Sequence, residues 1–230
     1  MKETMWLIKQ AKKVRSNYAF NRREKGFPFS KGMNDYRAIF IHIPKSAGTS
    51  IRLAMGDKAT GRMHLPWWVF YQANPNKFKL YFKFAFVRDP YARALSAYNY
   101  LLSGGNKRDD CEAAAVVQKH NSPLEFFEAE VLTGNMTNHV LFWPQHTFLC
   151  DWNNNIVVDY LGRHETIDEN YEELSLKLSL PKNLSINNES KKATASRRAN
   201  NREFAKLVFD FYRKDYDIFG YENPIDKYDF

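Results

Sequence analysis

Two short apolar runs constrain this chain more than anything else in it, because each stops abruptly at a polar turn and gives way to a helical stretch. The first is Tyr36 to Ile43 (YRAIFIHI) and the second is Leu80 to Val87 (LYFKFAFV), both rich in β-branched and aromatic residues. Near-continuous apolar runs of this length read as strands buried on both faces, the kind found in parallel sheets covered by helices. The first run ends at Pro44, and Lys45-Ser46-Ala47-Gly48-Thr49-Ser50 leads into a helical stretch from Ile51 to Met55. The second ends at Arg88-Asp89-Pro90, and a helix is expected from Tyr91 to about Leu102, with Pro90 in a first turn where its missing N–H costs nothing.

Further along, Ser122-Pro123-Leu124-Glu125 has the serine cap and first-turn proline of a helix start. Ile156 to Leu161 reads as a third strand, and Thr166-Ile167-Asp168-Glu169 as a capping box into a helix ending near Leu180. Phe204, Leu207, Val208, Phe211 and Tyr212 fall at helical spacing and form an apolar stripe on a last helix. Strands alternating with helices imply βαβ units, hence an α/β fold whose central, mostly parallel sheet is flanked by helices in three layers.

At 230 residues and 44% hydrophobic, the chain is long and apolar enough for one sizeable domain without disulfide or metal staples. Residues 1–35 read as a basic N-terminal extension packed on the domain, with Met5, Leu7, Ile8, Ala11 and Val14 on one face of a short helix; residues 36–230 form the domain. The net charge of +8 speaks about partners rather than fold, and favours phosphate, sulfate, nucleic acid or anionic glycan. Cys111 and Cys150 are too few for a disulfide scaffold and read as reduced thiols. No stretch has the length and apolarity of a membrane helix, and charges interrupt every apolar run of the N-terminus, so a cytoplasmic protein is expected.

The first strand-loop-helix unit carries the chemistry. A helix N-terminus offers unpaired N–H groups and a positive dipole end, so an anion is welcome there. Gly48 allows close backbone approach, Thr49 and Ser50 add hydroxyls, and Lys45 adds a mobile charge. The order differs from the Walker A pattern, since the lysine precedes the glycine. In the second unit, Arg88 at a strand end and Ser96 two turns into the next helix can converge on a second anionic group. The alternatives are a local Arg88–Asp89 ion pair and a helix-face serine.

FIHIPKSAGTS followed by FAFVRDPYARALSAY resembles the two nucleotide-binding motifs of the sulfotransferases, in particular the carbohydrate sulfotransferases of the heparan 2-O- and chondroitin-type superfamily and their bacterial relatives. The resemblance extends more weakly through QHTFLCD (Gln145 to Asp151), VVDYLGRHETIDENYEEL (Val157 to Leu174) and DYDIFGY (Asp215 to Tyr221). It implies a P-loop-like fold and a 3′-phosphoadenosine-5′-phosphosulfate (PAPS) donor. By the resemblance, Lys45, Ser46, Ala47, Gly48, Thr49 and Ser50 grip the 5′-phosphosulfate, and Arg88 and Ser96 the 3′-phosphate.

Transfer to an acceptor hydroxyl needs a cation for the charge that grows on the donor, for which Lys45 is the candidate, and a base for the hydroxyl proton. No metal is expected, and no H-E-x-x-H or C-x-x-C spacing is present to hold one. His64 lies in the crossover that passes over the carboxyl ends of the strands, where open α/β sheets bind ligands, and is the candidate base; a surface or an acceptor-binding histidine are the alternatives. His146 is the runner-up. His42 reads as a core or supporting histidine, and His120, His139 and His164 as surface or structural. Trp67, Trp68, Phe70 and Tyr71 read either as core or as a stacking wall for sugar or adenine. The basic stretch with Lys191, Lys192, Arg197 and Arg198 reads as solvated loop or as a cover over the nucleotide.

The expected partner is a carbohydrate acceptor, with the net charge favouring an anionic one. A P-loop-type nucleotide kinase is the alternative, against which the lysine–glycine order argues. A nucleic-acid-binding module is disfavoured by the lack of any RNP, zinc-finger or KH pattern.

Overall fold

The computed structural model describes residues 26–58, 63–184, 202–228 and 230. Among them, β1 (Ala38–Phe40), β2 (Phe82–Val87) and β3 (Tyr160–Arg163) form one all-parallel sheet in the order β1-β2-β3. Helix α1 (Lys31–Asp35) precedes β1, and α2 (Gly48–Ala54), α3 (Trp67–Ala73) and α4 (Pro75–Leu80) make the crossover to β2. Next come α5 (Pro90–Leu102), α6 (Cys111–Val117), α7 (Pro123–Phe126) and α8 (His146–Leu149), then β3. After β3, α9 (Ile167–Leu178) returns along the sheet, and α10 (Arg202–Phe211), α11 (Arg213–Phe219) and α12 (Pro224–Lys227) close the chain.

The parallel arrangement follows from burial. All of β1 and the last four residues of β2 are buried, so neither has a face to give to solvent. A first core cluster packs Phe40, Phe70, Phe84, Phe86 and Phe148 around the sheet. A second joins α5, α6, α7 and α10 through Leu101, Val117, Phe126, Phe204 and Tyr212. Arg93 lies within this second region, fully buried; its guanidinium donates to the Leu141 and Trp143 carbonyls at 3.1 and 2.8 Å. A charge so placed is tolerable only when hydrogen-bonded. No helix among the described residues is long and apolar enough to cross a membrane. Cys111 and Cys150 are free thiols.

The α/β expectation holds, and the differences lie in element boundaries. β1 is shorter than Tyr36 to Ile43, because Tyr36 closes α1 and Arg37 takes a left-handed φ of 49° before the strand starts. His42 therefore lies just past β1. Leu80 belongs to α4, which the Asn74 side chain caps by accepting from the Lys77 N–H at 2.9 Å. The largest shift is in β3. Ile156 is bridged back to Cys150 across a tight turn in which the Asp151 carboxylate accepts the N–H groups of Asn153 and Asn155, and the chain joins β2 only from Asp159 on.

Ser122 caps α7 as expected, accepting from the Glu125 N–H at 3.1 Å. The capping box at Thr166 does not form. Its hydroxyl donates instead to the Asn170 Oδ1 that also receives the Arg163 N–H, which ties the end of β3 to α9. The amphipathic stretch Met5 to Val14 and the basic residues Lys191, Lys192, Arg197 and Arg198 lie outside the described residues.

Candidate active site

The carboxyl ends of parallel strands all open on one side of the sheet, so the tips of β1, β2 and β3 are neighbours there. The β1 tip leads through Lys45 to α2. Lys45 and Ala47 both take left-handed backbone conformations, with φ of 68° and 61°, and Ala47 serves as the N-cap of α2 without any side-chain cap. Such a conformation costs a non-glycine residue on the order of 1–3 kcal/mol. Left-handed residues in a tight turn form the backbone nests that bind anions, because they turn N–H groups into one concavity. Ser46 is 1% exposed, and its hydroxyl has no hydrogen-bond partner among the described residues. Thr49 and Ser50 sit half-buried in the first turn of α2.

Gly48 meets a steric demand that its sequence context does not reveal. A Cβ there would lie 1.8 Å from the imidazole of His42, so the glycine is required by that ring. His42 in turn stacks on Phe40, with ring centroids 5.4 Å apart, and lies 4.3 Å from the ring of His64. Burial above all, then His64 and Arg52, pushes the His42 pKa well down, so this imidazole is neutral. His64 donates from Nδ1 to the His42 carbonyl oxygen at 3.2 Å. A carbonyl can only accept, so the neutral His64 tautomer carries its proton on Nδ1 and its lone pair on Nε2. The candidate base is thus held at the β1 tip in a tautomer able to take a proton.

The β2 tip meets the β1 tip directly. Arg88 donates from Nη1 to the Lys45 carbonyl oxygen at 3.2 Å. Its own backbone is clamped on both sides by Gln145: the Arg88 N–H donates to Gln145 Oε1 at 2.9 Å, and Gln145 Nε2 donates to the Arg88 carbonyl at 2.8 Å. Gln145 is anchored through its N–H to the fully buried Asp215 at 2.7 Å. His146, the runner-up base, donates both its N–H and its Nδ1 proton to Asp215 at 2.9 and 2.7 Å, and is a structural part of that anchor. The alternative of a local Arg88–Asp89 ion pair does not form: Asp89 caps α5 by accepting from the Ala92 N–H at 2.8 Å and pairs with Lys227 at 3.1 Å.

The Lys45 ammonium lies over the Tyr100 ring at 4.2 Å. Tyr100 and Ser96 are four residues apart on α5 and share a face, so Ser96 lies one turn from the ring that Lys45 touches, on the side of the β2 tip. Burial, with Arg88 acting in the same direction, lowers the Lys45 pKa to about 8. Two half-buried cations held together make an anion the natural complement of this corner.

The structure thus brings together the Lys45–Gly48 loop and Arg88, with Thr49 and Ser50 on the following turn; His64 is tied to His42 just before that loop, and Ser96 lies one turn from Tyr100 on α5. Sequence reading missed Gln145 and Asp215 as the support of Arg88, Tyr100 as the contact of Lys45, and His164 at the β3 tip. Gln145 stood in a quoted motif, but a clamp across 57 residues has no local signal. Of the aromatic run, Phe70 is core; Trp67 donates its indole N–H to the Cys150 carbonyl at 2.8 Å and packs near the exposed Tyr71 and Trp152. No group of three metal-ligating side chains occurs among the described residues.

The sequence model of one family, described as "Sulfotransferase family", matches residues 33–222. No curated protein and no solved structure matches the chain significantly.

Proposed function

The chain belongs to the sulfotransferase family, and from that premise we propose that it moves a sulfuryl group from PAPS to a hydroxyl of a carbohydrate acceptor, with His64 as base. The observation that carries the reading is the 3.2 Å hydrogen bond from Arg88 to the Lys45 carbonyl, which joins two cation-bearing strand tips into one cradle. A doubly phosphorylated adenosine offers two separate anionic groups to such a cradle. The orphaned Ser46 hydroxyl and the left-handed turn at Lys45 and Ala47 support the 5′-side assignment. Arg88 and Ser96 support the 3′-side.

PAPS supplies an activated sulfuryl group whose bond to the phosphate oxygen breaks as the acceptor oxygen bonds to sulfur. Lys45 stabilises the negative charge left on that phosphate oxygen. It must leave the Tyr100 face to do so, which its flexible stem permits. Nε2 of His64 takes the acceptor proton, and the His42 carbonyl steadies the resulting imidazolium through Nδ1. The leaving product is adenosine 3′,5′-bisphosphate. The half-exposed cluster of Trp67, Tyr71 and Trp152, beginning three residues after His64, offers flat faces on which sugar rings stack.

Isothermal calorimetry with adenosine 3′,5′-bisphosphate against ATP tests the donor, followed by a glycan panel with labelled PAPS for the acceptor. Tight binding of the bisphosphate without magnesium, and label on a glycan hydroxyl, is the expected result. Magnesium-dependent ATP turnover in place of both would overturn it in favour of a kinase.

A further inference from the structure

The β3 tip forms the third wall of the cradle, and its role rests on the donor reading above. β2 and β3 run parallel with Val87 opposite Arg163, so the next residues along the two strands, Arg88 and His164, are neighbours. Adjacent strands lie about 4.8 Å apart. Arg88 also reaches Lys45 on its other side, so the three tips stand in a row with Arg88 in the middle. The His164 imidazole has no hydrogen bond to a described residue. The charged groups around it come from every neighbouring element: Arg88 on the β2 tip, Lys45 on the β1 loop and Glu165 beside it in the chain. Glu165 is itself engaged, accepting from the Asp89 N–H at 2.7 Å and from the Tyr221 hydroxyl at 3.1 Å.

We propose that His164 is a further binding residue for the 3′-phosphate of the nucleotide, and that it takes a proton from solvent as the phosphate enters and donates to it as an imidazolium. Without an anion, burial first, then Arg88 and Lys45 against the opposing Glu165, hold the His164 pKa at about 4, so the ring is neutral at working pH. A phosphate dianion reverses the sign of the local field, because it offsets both cations and accepts hydrogen bonds from the protonated ring. The proton is therefore bound in the complex and absent in the free protein. By linkage, affinity for the 3′-phosphate rises as pH falls through the window above 4. Lys45 also gains a proton on binding, but near pH 8 and above, where its own pKa lies. The second ionisation of the phosphate, near pH 6, is common to wild type and variant and cancels in their difference.

The test is calorimetry at pH 6.5 in two buffers of different ionisation enthalpy, with adenosine 3′,5′-bisphosphate and adenosine 5′-monophosphate, on wild type and His164→Gln. The wild type is expected to take up about half to one proton more per bisphosphate than the variant, and to bind it roughly 10-fold more tightly, the loss expected of one charge-assisted hydrogen bond. That advantage shrinks toward pH 9 and is absent for the monophosphate. Equal proton counts in the two proteins, with tight bisphosphate binding in both, overturn the role of His164 and leave the donor reading standing. Failure of the wild type to bind the bisphosphate at all overturns both. Should the variant not fold, the wild type alone decides: net proton uptake greater with the bisphosphate than with the monophosphate is expected, and equal or lesser uptake contradicts the proposal.

Discussion

The β1 and β2 tips face each other across one hydrogen bond, yet they are held in opposite ways. Arg88 is fixed by polar partners: Gln145 holds both its N–H and its carbonyl, and Asp215 holds Gln145. The β1 loop is fixed by packing and backbone conformation, with Gly48 pressed on the His42 ring and Lys45 and Ala47 in left-handed turns. The difference teaches which groups are spent on structure and which are kept for a ligand. At β2 the backbone is satisfied by a side-chain clamp, and the guanidinium reaches across to the Lys45 carbonyl. At β1 the buried Ser46 hydroxyl is unmet among the described residues, and the Lys45 ammonium rests on an aromatic face with no carboxylate of the described residues paired to it.

Substitutions at the two tips break this comparison in different ways. Lys45→Ala removes the cation that meets the leaving phosphate and is expected to lower transfer below detection in a labelled-PAPS assay, while circular dichroism and melting stay near wild type. His64→Ala leaves both tips in place and is expected to keep nucleotide affinity but lower turnover by about 10²–10⁴-fold, the usual worth of a general base. Wild-type turnover in that variant would move the base elsewhere.

Effects on stability sharpen the contrast. Gln145→Ala strands the Arg88 N–H and carbonyl, and is expected to cost about 1–3 kcal/mol in urea unfolding together with a loss of nucleotide affinity. A change of that size in stability with no change in affinity would show that Arg88 needs no clamp. The smallest effect is a pH dependence. Lys45, depressed to about 8, loses its charge in the free protein as pH rises through that value, so donor-site affinity is expected to fall above pH 8 and to be level below it as far as this group is concerned. Lys45→Ala abolishes that fall.

Much of this was legible from the chain alone. Buried strands advertise themselves as apolar runs, and the polar loops that end them could be placed at the same edge of a parallel sheet without knowing any contact. Boundaries were less legible because local pattern competes with turn chemistry. Ile156, Val157 and Val158 are apolar enough for a strand, but the Asp151 carboxylate draws the chain into a tight turn and delays pairing until Tyr160. That delay hides the place of His164 from the sequence pattern. With a strand ending at Leu161 the tip falls short of it; with the strand ending at Arg163, His164 is the tip. The sequence shows what Gly48 permits, but that a Cβ there would strike the His42 ring, six residues earlier, is visible only in the fold.

The central claim, that the two tips hold two different phosphates of one nucleotide, is tested most directly by the selectivity of Arg88→Ala. Binding of adenosine 3′,5′-bisphosphate and of adenosine 5′-monophosphate is measured for wild type and variant at one pH and salt concentration. The account expects the variant to lose roughly 10- to 100-fold for the bisphosphate, the range of a charge-assisted contact to phosphate, and to bind the monophosphate as the wild type does. An equal loss for both nucleotides would contradict it.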